Sequence, residues 1–251
     1  MNICLFTSDE INKPLSLKDE RSNHLLKILH KKECETFDAG IIGGNAGIAT
    51  ISKITESELC FSFEAKSSGK KLFPLTLIVG FPRPIQLKRL LRDVAGLGVK
   101  KVILCGTELT EKSYLDSNVI KDGSAQKMLL DGTVQAASTH VPELVVSKSL
   151  KEAIKEAIPQ QSKFSIPYNV SSLVALDNKK MTVSLHEFLQ KESSTSFVAA
   201  IGSERGWTDN EREIFLKAGF TLCSMGNRVL RTETAATVAC SIILDSAGFL
   251  N

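Results

Sequence analysis

The sequence predicts an α/β domain built on a mostly parallel sheet, preceded by a small β-rich domain. Two patterns carry this expectation. From residue 75 onward, apolar strand-like segments alternate with helical patterns, the signature of parallel strands joined by crossover helices. Before residue 70, short alternating segments are separated by Gly and Asn, as hairpins are. A chain of 251 residues with 43% hydrophobic content is long enough to bury a substantial core, as one large or two modest domains.

In order, HLLKILHKK from His24 reads as a helix, and ETFDAG, AGIATISKI and ELCFSFEAK read as strands. The stretch SSGKKLFP, residues 67 to 74, is polar, basic and ends in Pro, which reads as a linker. The domain boundary is therefore placed there, giving domains 1–70 and 71–251. Beyond it come strand LTLIVG (75–80), helix IQLKRLLRDVAGLG, strand KVILC (101–105), a helix near 122–137 and strand PELVVS (142–147). Helix LKEAIKEAI, strands SLVALD (172–177) and SFVAAIG (196–202), helix TDNEREIFLKAG, strand FTLCSMG and a final helix from Thr232 complete the chain. In such sheets, ligands bind beyond the carboxyl ends of the strands.

Composition narrows the function classes. The net charge of +3 is too small to imply nucleic-acid binding by itself, so such a partner must be argued from clusters. Six cysteines are scattered singly with no C-x-x-C pair and no secretory signal, which points to reduced thiols in a cytoplasmic protein. The four histidines lack metal-site spacing with one another or with the cysteines, so no metal is expected. No apolar run approaches a membrane span.

Two glycine-containing loops leave strand ends, IGSERGW at 201–207 and SMGNRVLR at 224–231. Gly202, Gly206 and Gly226 permit positive φ and close approach of a ligand to the backbone; equally, they are ordinary strand-to-helix turns. Thr208 and Glu211 form a capping-box pattern that starts the helix after the first loop. Both loops are rich in charge: Glu204, Arg205, Arg228, Arg231 and Glu233 fall within thirty residues. Arg231 is the informative one. It precedes a helix start, where the positive end of the dipole disfavours a cation, so its place there implies an anionic or polar ligand. Ala235, Ala236, Ala239 and Cys240 give the final helix a small-residue face that suits close packing.

A second cluster, Arg83, Lys88, Arg89, Arg92, Lys100 and Lys101, lies within residues 83–101 against the single acid Asp93. Leu87, Leu90, Leu91 and Val94 recur at helical spacing, so the basic face is left for solvent or for phosphate. Lys27, Lys31 and Lys32 extend the basic character. No G-x-x-x-x-G-K-[ST] is present and no G-x-G-x-x-G follows the first strand of the α/β domain, which argues against nucleoside triphosphate and dinucleotide sites.

The stretch IGSERGWTDNEREIFLKAGFTLCSMGNRVLRTETAATVA resembles the C-terminal signature of the RsmE family of 16S ribosomal RNA methyltransferases. That signature reads roughly G-P-E-G-G-F followed by S-L-G-x-R-I-L-R-T-E-T-A. LTLIVGFPRP, LGVKKVIL, VPELV and HLLKILHKK fall where the family has corresponding elements. The resemblance implies a PUA-like RNA-binding β-barrel followed by a SPOUT-type α/β domain with a C-terminal trefoil knot. It also implies a homodimer that uses S-adenosylmethionine to methylate N3 of a uridine in 16S rRNA of the 30S subunit.

Carried over by motif, Gly202, Glu204, Gly206, Met225, Gly226, Leu230, Thr232, Thr234 and Ala235 would hold the cofactor. Arg231 and Glu233 would be catalytic, with Glu233 taking the N3 proton and Arg231 stabilising charge on the uracil oxygens; a carboxylate in that first helical turn also suits the dipole or a structural pairing with Arg231. Lys27, Arg83, Lys88, Arg89 and Arg92 would contact RNA. The chain departs from the pattern at Ser203, Arg205 and Trp207, where the family has Pro, Gly and Phe, and at Gly96, Val134 and Ser138. Arg205 places a side chain in a loop that the family leaves bare. Two alternatives therefore stand beside the main reading: an RNA-binding protein of the same fold without transfer, and a methyltransferase for another rRNA or tRNA site.

Overall fold

The computed structural model describes residues 2–115, 117–158 and 171–250, with the side chains of 112 and 115 left aside. It is a mixed α/β chain that divides into two compact units. The first comprises Met1–Lys71 together with Leu130–Val141, and the second Leu72–Leu129 with Pro142–Asn251.

In the first unit, strands β1 (Cys4–Phe6), β2 (Leu15–Ser16), β3 (Thr36–Ile41), β4 (Ala46–Ile54) and β5 (Glu58–Ser67) form a five-stranded sheet in the order β1-β3-β4-β5-β2. The three longer strands are those the alternation predicts, paired antiparallel, whereas β1 joins β3 in parallel. One face of this sheet closes over Phe6, Leu25, Phe37, Ile51 and Leu59. Such side chains stabilise by about 1.5–3 kcal/mol each on full burial. The helix expected from His24 is shorter and of another kind. Helix α1 (Glu20–Asn23) starts earlier, at the Asp19 cap, and runs into a π-helical turn, His24–Ile28. The Leu29 N–H closes that turn on the His24 carbonyl at 2.9 Å, and His30 leaves it at φ 53°. Leu130–Val141 is stitched in by Gly43 N–H to the Thr139 carbonyl at 2.8 Å and Thr139 Oγ1–H to the Gly44 carbonyl at 2.7 Å. Ser138, one of the departures from the family pattern, is buried there.

The second unit opens with β6 (Phe73–Gly80), α2 (Pro84–Gly96) and β7 (Val99–Cys105), then short helices α3 (Lys112–Leu115) and α4 (Asn118–Lys121). Helix α5 (Ser124–Gln135), whose residues from Leu130 onward count with the first unit, β8 (Glu143–Ser147), α6 (Leu150–Ala157), β9 (Ser172–Leu176), β10 (Val183–Ser184) and α7 (Leu185–Gln190) follow. The chain ends with β11 (Phe197–Ile201), α8 (Asp209–Lys217), β12 (Thr221–Ser224) and α9 (Thr232–Ser246). The stretch read as a linker reaches only to Leu72: Phe73 and Pro74 already belong to β6, and Pro74 falls where the β6–β7 register shifts, a position that tolerates its missing N–H.

The seven-stranded sheet has the order β10-β12-β9-β11-β6-β7-β8, and every pairing among the described residues is parallel. Its central strands read as continuous apolar runs because both faces are covered. All five residues of β11 are buried. Helix α2 buries Leu87, Leu90, Leu91 and Val94 on one stripe and starts with Pro84 in its first turn, where no N–H is needed. Helices α7 and α8 begin with complete capping boxes, Ser184 with Glu187 and Thr208 with Glu211. The small-residue face of α9 is buried against α2, α7 and β11. No helix among the described residues is long and apolar enough to cross a membrane.

Candidate active site

At the carboxyl ends of β6, β9, β11 and β12, which are neighbours in the sheet, the chain leaves four turns around a cavity of about 720 Å³. The volume suits a small-molecule ligand. Its wall is supplied by Arg83 and Gln86 after β6, Leu176–Lys179 after β9, Ile201–Trp207 after β11, and Cys223 to Ala235 in part after β12.

The turn after β11 is shaped by its own hydrogen bonds. Gly206 N–H donates to the Ser203 carbonyl at 2.9 Å, and Gly206 sits at φ 73°. A Cβ on Gly202 would meet the Gly206 Cα at 2.9 Å, so the tightness of the turn excludes any side chain there. Trp207, 2% exposed, fixes the end of the loop by stacking edge-on against Phe215 and donating Nε1–H to the Leu176 carbonyl at 3.0 Å. Arg205 is 65% exposed and pairs with Glu111 at 3.8 Å.

The turn after β12 passes through Gly226 at φ 95°, with open space where a Cβ would be, and ends at Arg231, the N-cap of α9. Arg231 is exposed, offers no side-chain cap and forms no ion pair among the described residues. Thr232 Oγ1 donates to the Gly202 carbonyl at 3.5 Å, linking the two turns. Glu233, 8% exposed, has a carboxylate oxygen, Oε2, without a hydrogen-bond partner. Gln86 Oε1 and Ser203 Oγ, from residues of the same wall, are likewise buried and unpartnered. Unsatisfied buried polar atoms are costly and rare, and three around one cavity mark where a polar ligand belongs.

Of the residues singled out from sequence, Gly202, Glu204, Gly206, Met225, Gly226, Leu230, Arg231, Thr232, Glu233 and Ala235 line this cavity, and so does Arg83. Thr234 does not. It is exposed, because the helical turn that buries Thr232, Ala235 and Ala236 points the residue between them away. Glu204 contributes its backbone to the turn, but its carboxylate accepts the Arg83 main-chain N–H at 2.8 Å. Lys88, Arg89 and Arg92 lie along α2 away from its buried stripe, and Lys27 is exposed on the π-helical turn of the first unit. Sequence reading missed Gln86 and the Leu176–Lys179 wall; the end of an apolar strand at Asp177 was the available signal. Among the described residues, no group of His, Cys, Asp and Glu is arranged to hold a metal ion.

Residues 69–244 match the family model of the RNA methyltransferase domain. A crystal structure of ribosomal RNA small subunit methyltransferase E from Neisseria gonorrhoeae bound to S-adenosyl methionine shares the fold, with a TM-score of 0.76 over 98% of this chain and 97% of that one, at 20% identity. Ribosomal RNA small subunit methyltransferase E of Treponema pallidum is 40% identical over 98% of this chain and 92% of its own length. Ribosomal RNA small subunit methyltransferase E 1 of Borreliella burgdorferi is 35% identical over 98% of both. The chain belongs to the ribosomal RNA small subunit methyltransferase E family.

Proposed function

We propose that the protein transfers a methyl group from S-adenosylmethionine to N3 of a uridine in 16S rRNA of the 30S subunit, acting in the cytoplasm as a homodimer. The same reading takes the first unit as a PUA-like RNA-binding barrel and the second as a SPOUT-type domain ending in a trefoil knot. The strand order, with β11 inserted between β6 and β9, supports the latter.

The cavity fits the cofactor in size and chemistry. Main chain dominates at Gly202, Gly206 and Gly226, polar atoms at Gln86 and Ser203 lack partners, and exposed cations at its rim suit the carboxylate of an amino acid. Gly202, Glu204 and Gly206 would hold it from one side, and Met225, Gly226, Leu230, Thr232 and Ala235 from the other. When bound, it supplies an electrophilic methyl group on a sulfonium.

What the protein itself must do is present an electron-rich nitrogen in line with that carbon, and uracil N3 carries a proton. The buried, unpartnered Oε2 of Glu233 is the observation that carries the assignment. It is a carboxylate oxygen on the cavity wall with no other bond to satisfy, so it accepts the N3 proton directly or through water. Arg231, free of any ion pair among the described residues, stabilises the negative charge that develops on the uracil oxygens. Arg83 at the rim and Lys88, Arg89 and Arg92 along α2 provide cations for the RNA backbone, as does Lys27 in the first unit.

The test is methyl transfer to 30S subunits from cells lacking the modification, with digestion and detection of N3-methyluridine. Wild-type protein forms it. Glu233→Gln lowers turnover by a factor on the order of 10²–10⁴, the usual contribution of a general base. Full turnover by Glu233→Gln at neutral pH removes the base assignment, and methylation of a different RNA removes the substrate assignment.

A further inference from the structure

Asp177 stands at the carboxyl end of β9 on the wall of the cavity. An acidic residue in such a place is ordinarily a candidate for accepting a ribose hydroxyl. Its bonds say otherwise. Oδ1 accepts the main-chain N–H groups of Lys179 at 2.6 Å and Lys180 at 2.8 Å, and Oδ2 accepts Arg212 Nε–H at 2.7 Å. The Asp177 side chain is 1% exposed and that of Arg212 is 7% exposed. Both oxygens are committed and shielded, so the carboxylate is not a ligand group.

It is instead a fastener. Arg212 lies on α8 and also reaches Asp209 at 2.7 Å; Asp209 in turn pairs with Lys180 Nζ at 3.0 Å. The turn after β9 is thereby held to the first turns of α8 from both of its ends. Helix α8 begins at the Thr208 cap, immediately after the turn that forms the opposite wall. The Trp207 indole bonded to the Leu176 carbonyl makes a second tie between the same two segments.

A buried ion pair is an inefficient way to stabilise a fold, because desolvation offsets much of the attraction and an apolar pair of equal volume often does as well. What a charge pair with fixed donors supplies is a defined geometry. We propose that the Asp177–Arg212 pair is a positioning device for the cofactor, setting the separation of the Leu176–Lys179 wall from the Gly202–Trp207 wall; this rests on the reading of the cavity as the S-adenosylmethionine site.

The experiment is calorimetric titration of the full-length protein with S-adenosylmethionine, in the absence of RNA, for wild type, Asp177→Asn, Arg212→Gln and the double variant. It is done at a temperature where thermal unfolding shows each protein to be folded. Arg212→Gln is included because it keeps a neutral donor to the Asp177 carboxylate, and the double variant because it alone leaves no buried charge unpaired, should a single variant fail to fold. Each single variant binds on the order of tenfold more weakly, and the double variant no more weakly than either single one, as for residues acting through one shared bond. Amide exchange at Lys179 and Lys180 accelerates in Arg212→Gln. Folded variants that melt earlier yet bind with wild-type affinity overturn the proposal and leave the pair a purely structural one. A wild type that itself fails to bind overturns the cofactor reading with it, and that result is distinct from variants that match a binding wild type.

Discussion

The Glu204 carboxylate reaches from the turn after β11 to accept the main-chain N–H of Arg83 at 2.8 Å. Arg83 is the N-cap of α2 and provides no side-chain cap of its own. In a capping box the third residue of the helix would take that N–H. Here the residue is Gln86, whose Oε1 remains unpartnered, and Glu204 does its work from another segment. A carboxylate at this end of a helix also meets the favourable end of the dipole. Glu204→Ala is therefore expected to lower stability by about 1 kcal/mol in urea unfolding, whereas Glu204→Gln, which keeps an acceptor, loses roughly half of that.

Arg205 is the residue most at odds with the family pattern; it stands on the cavity wall, is 65% exposed and has its guanidinium 3.8 Å from Glu111. A pair at 3.8 Å between two exposed groups contributes little. Arg205→Gly should therefore change the S-adenosylmethionine dissociation constant by less than about fivefold, as an exposed pair worth under about 1 kcal/mol would. Calorimetry decides the matter. A wild type that binds nothing beside an Arg205→Gly variant that binds well shows the loop to be obstructed, and returns the chain to the class of RNA binders without transfer.

In the first unit, Arg21 bonds Glu10 at 3.0 Å and Asp19 at 2.8 Å and lies over the Phe6 ring. Its hydrogen bond to Glu10, aided by the Thr7 main-chain N–H, holds the Glu10 carboxyl down at about 2, and its bond to Asp19 lowers that group as well. Both folded-state values are depressed. The stabilisation is thus fully present above the ordinary carboxylate range, about 4–4.5, and is lost as pH falls through the folded values. Amide exchange of β3–β5 followed from about pH 5 to about pH 2 is expected to show this unit loosening over that window, after allowance for the intrinsic pH dependence of exchange. Arg21→Gln flattens the dependence; an unchanged slope in that variant rules the cluster out as its origin.

Much of this arrangement was legible in local sequence. Leu87, Leu90, Leu91 and Val94 give α2, the continuous apolar runs give the parallel strands, and Thr208 with Glu211 gives the start of α8. The glycine turns and R-T-E-T located most of the cavity wall, because each is a property of a few consecutive residues. What escaped depends on distant partners. The parallel pairing of β1 with β3 joins Cys4 to Ala39, and Thr139 joins a unit whose other residues end at Lys71. Asp177 finds Arg212 only after β9 and α8 are in place. Helix α7 was missed although Ser184 and Glu187 form a capping box, since a helix of six residues has too little periodicity to register.

Trp207 offers a test that needs no substrate. It is the single tryptophan of the chain, is buried, and lies on the cavity wall with its indole N–H on the Leu176 carbonyl. Its emission should therefore shift saturably on titration with S-adenosylmethionine, with the same midpoint as calorimetric binding. Trp207→Phe keeps an aromatic contact for Phe215 but leaves the Leu176 carbonyl unpaired, at a cost of about 1–3 kcal/mol, and Trp207→Ala adds a cavity for a total of about 3–5 kcal/mol. If the indole bond holds the wall in place, Trp207→Phe also weakens cofactor binding while Phe215→Leu, which disturbs the same core from its far side, does so much less. Equal losses of affinity in the two variants at matched stability would reduce Trp207 to a packing residue.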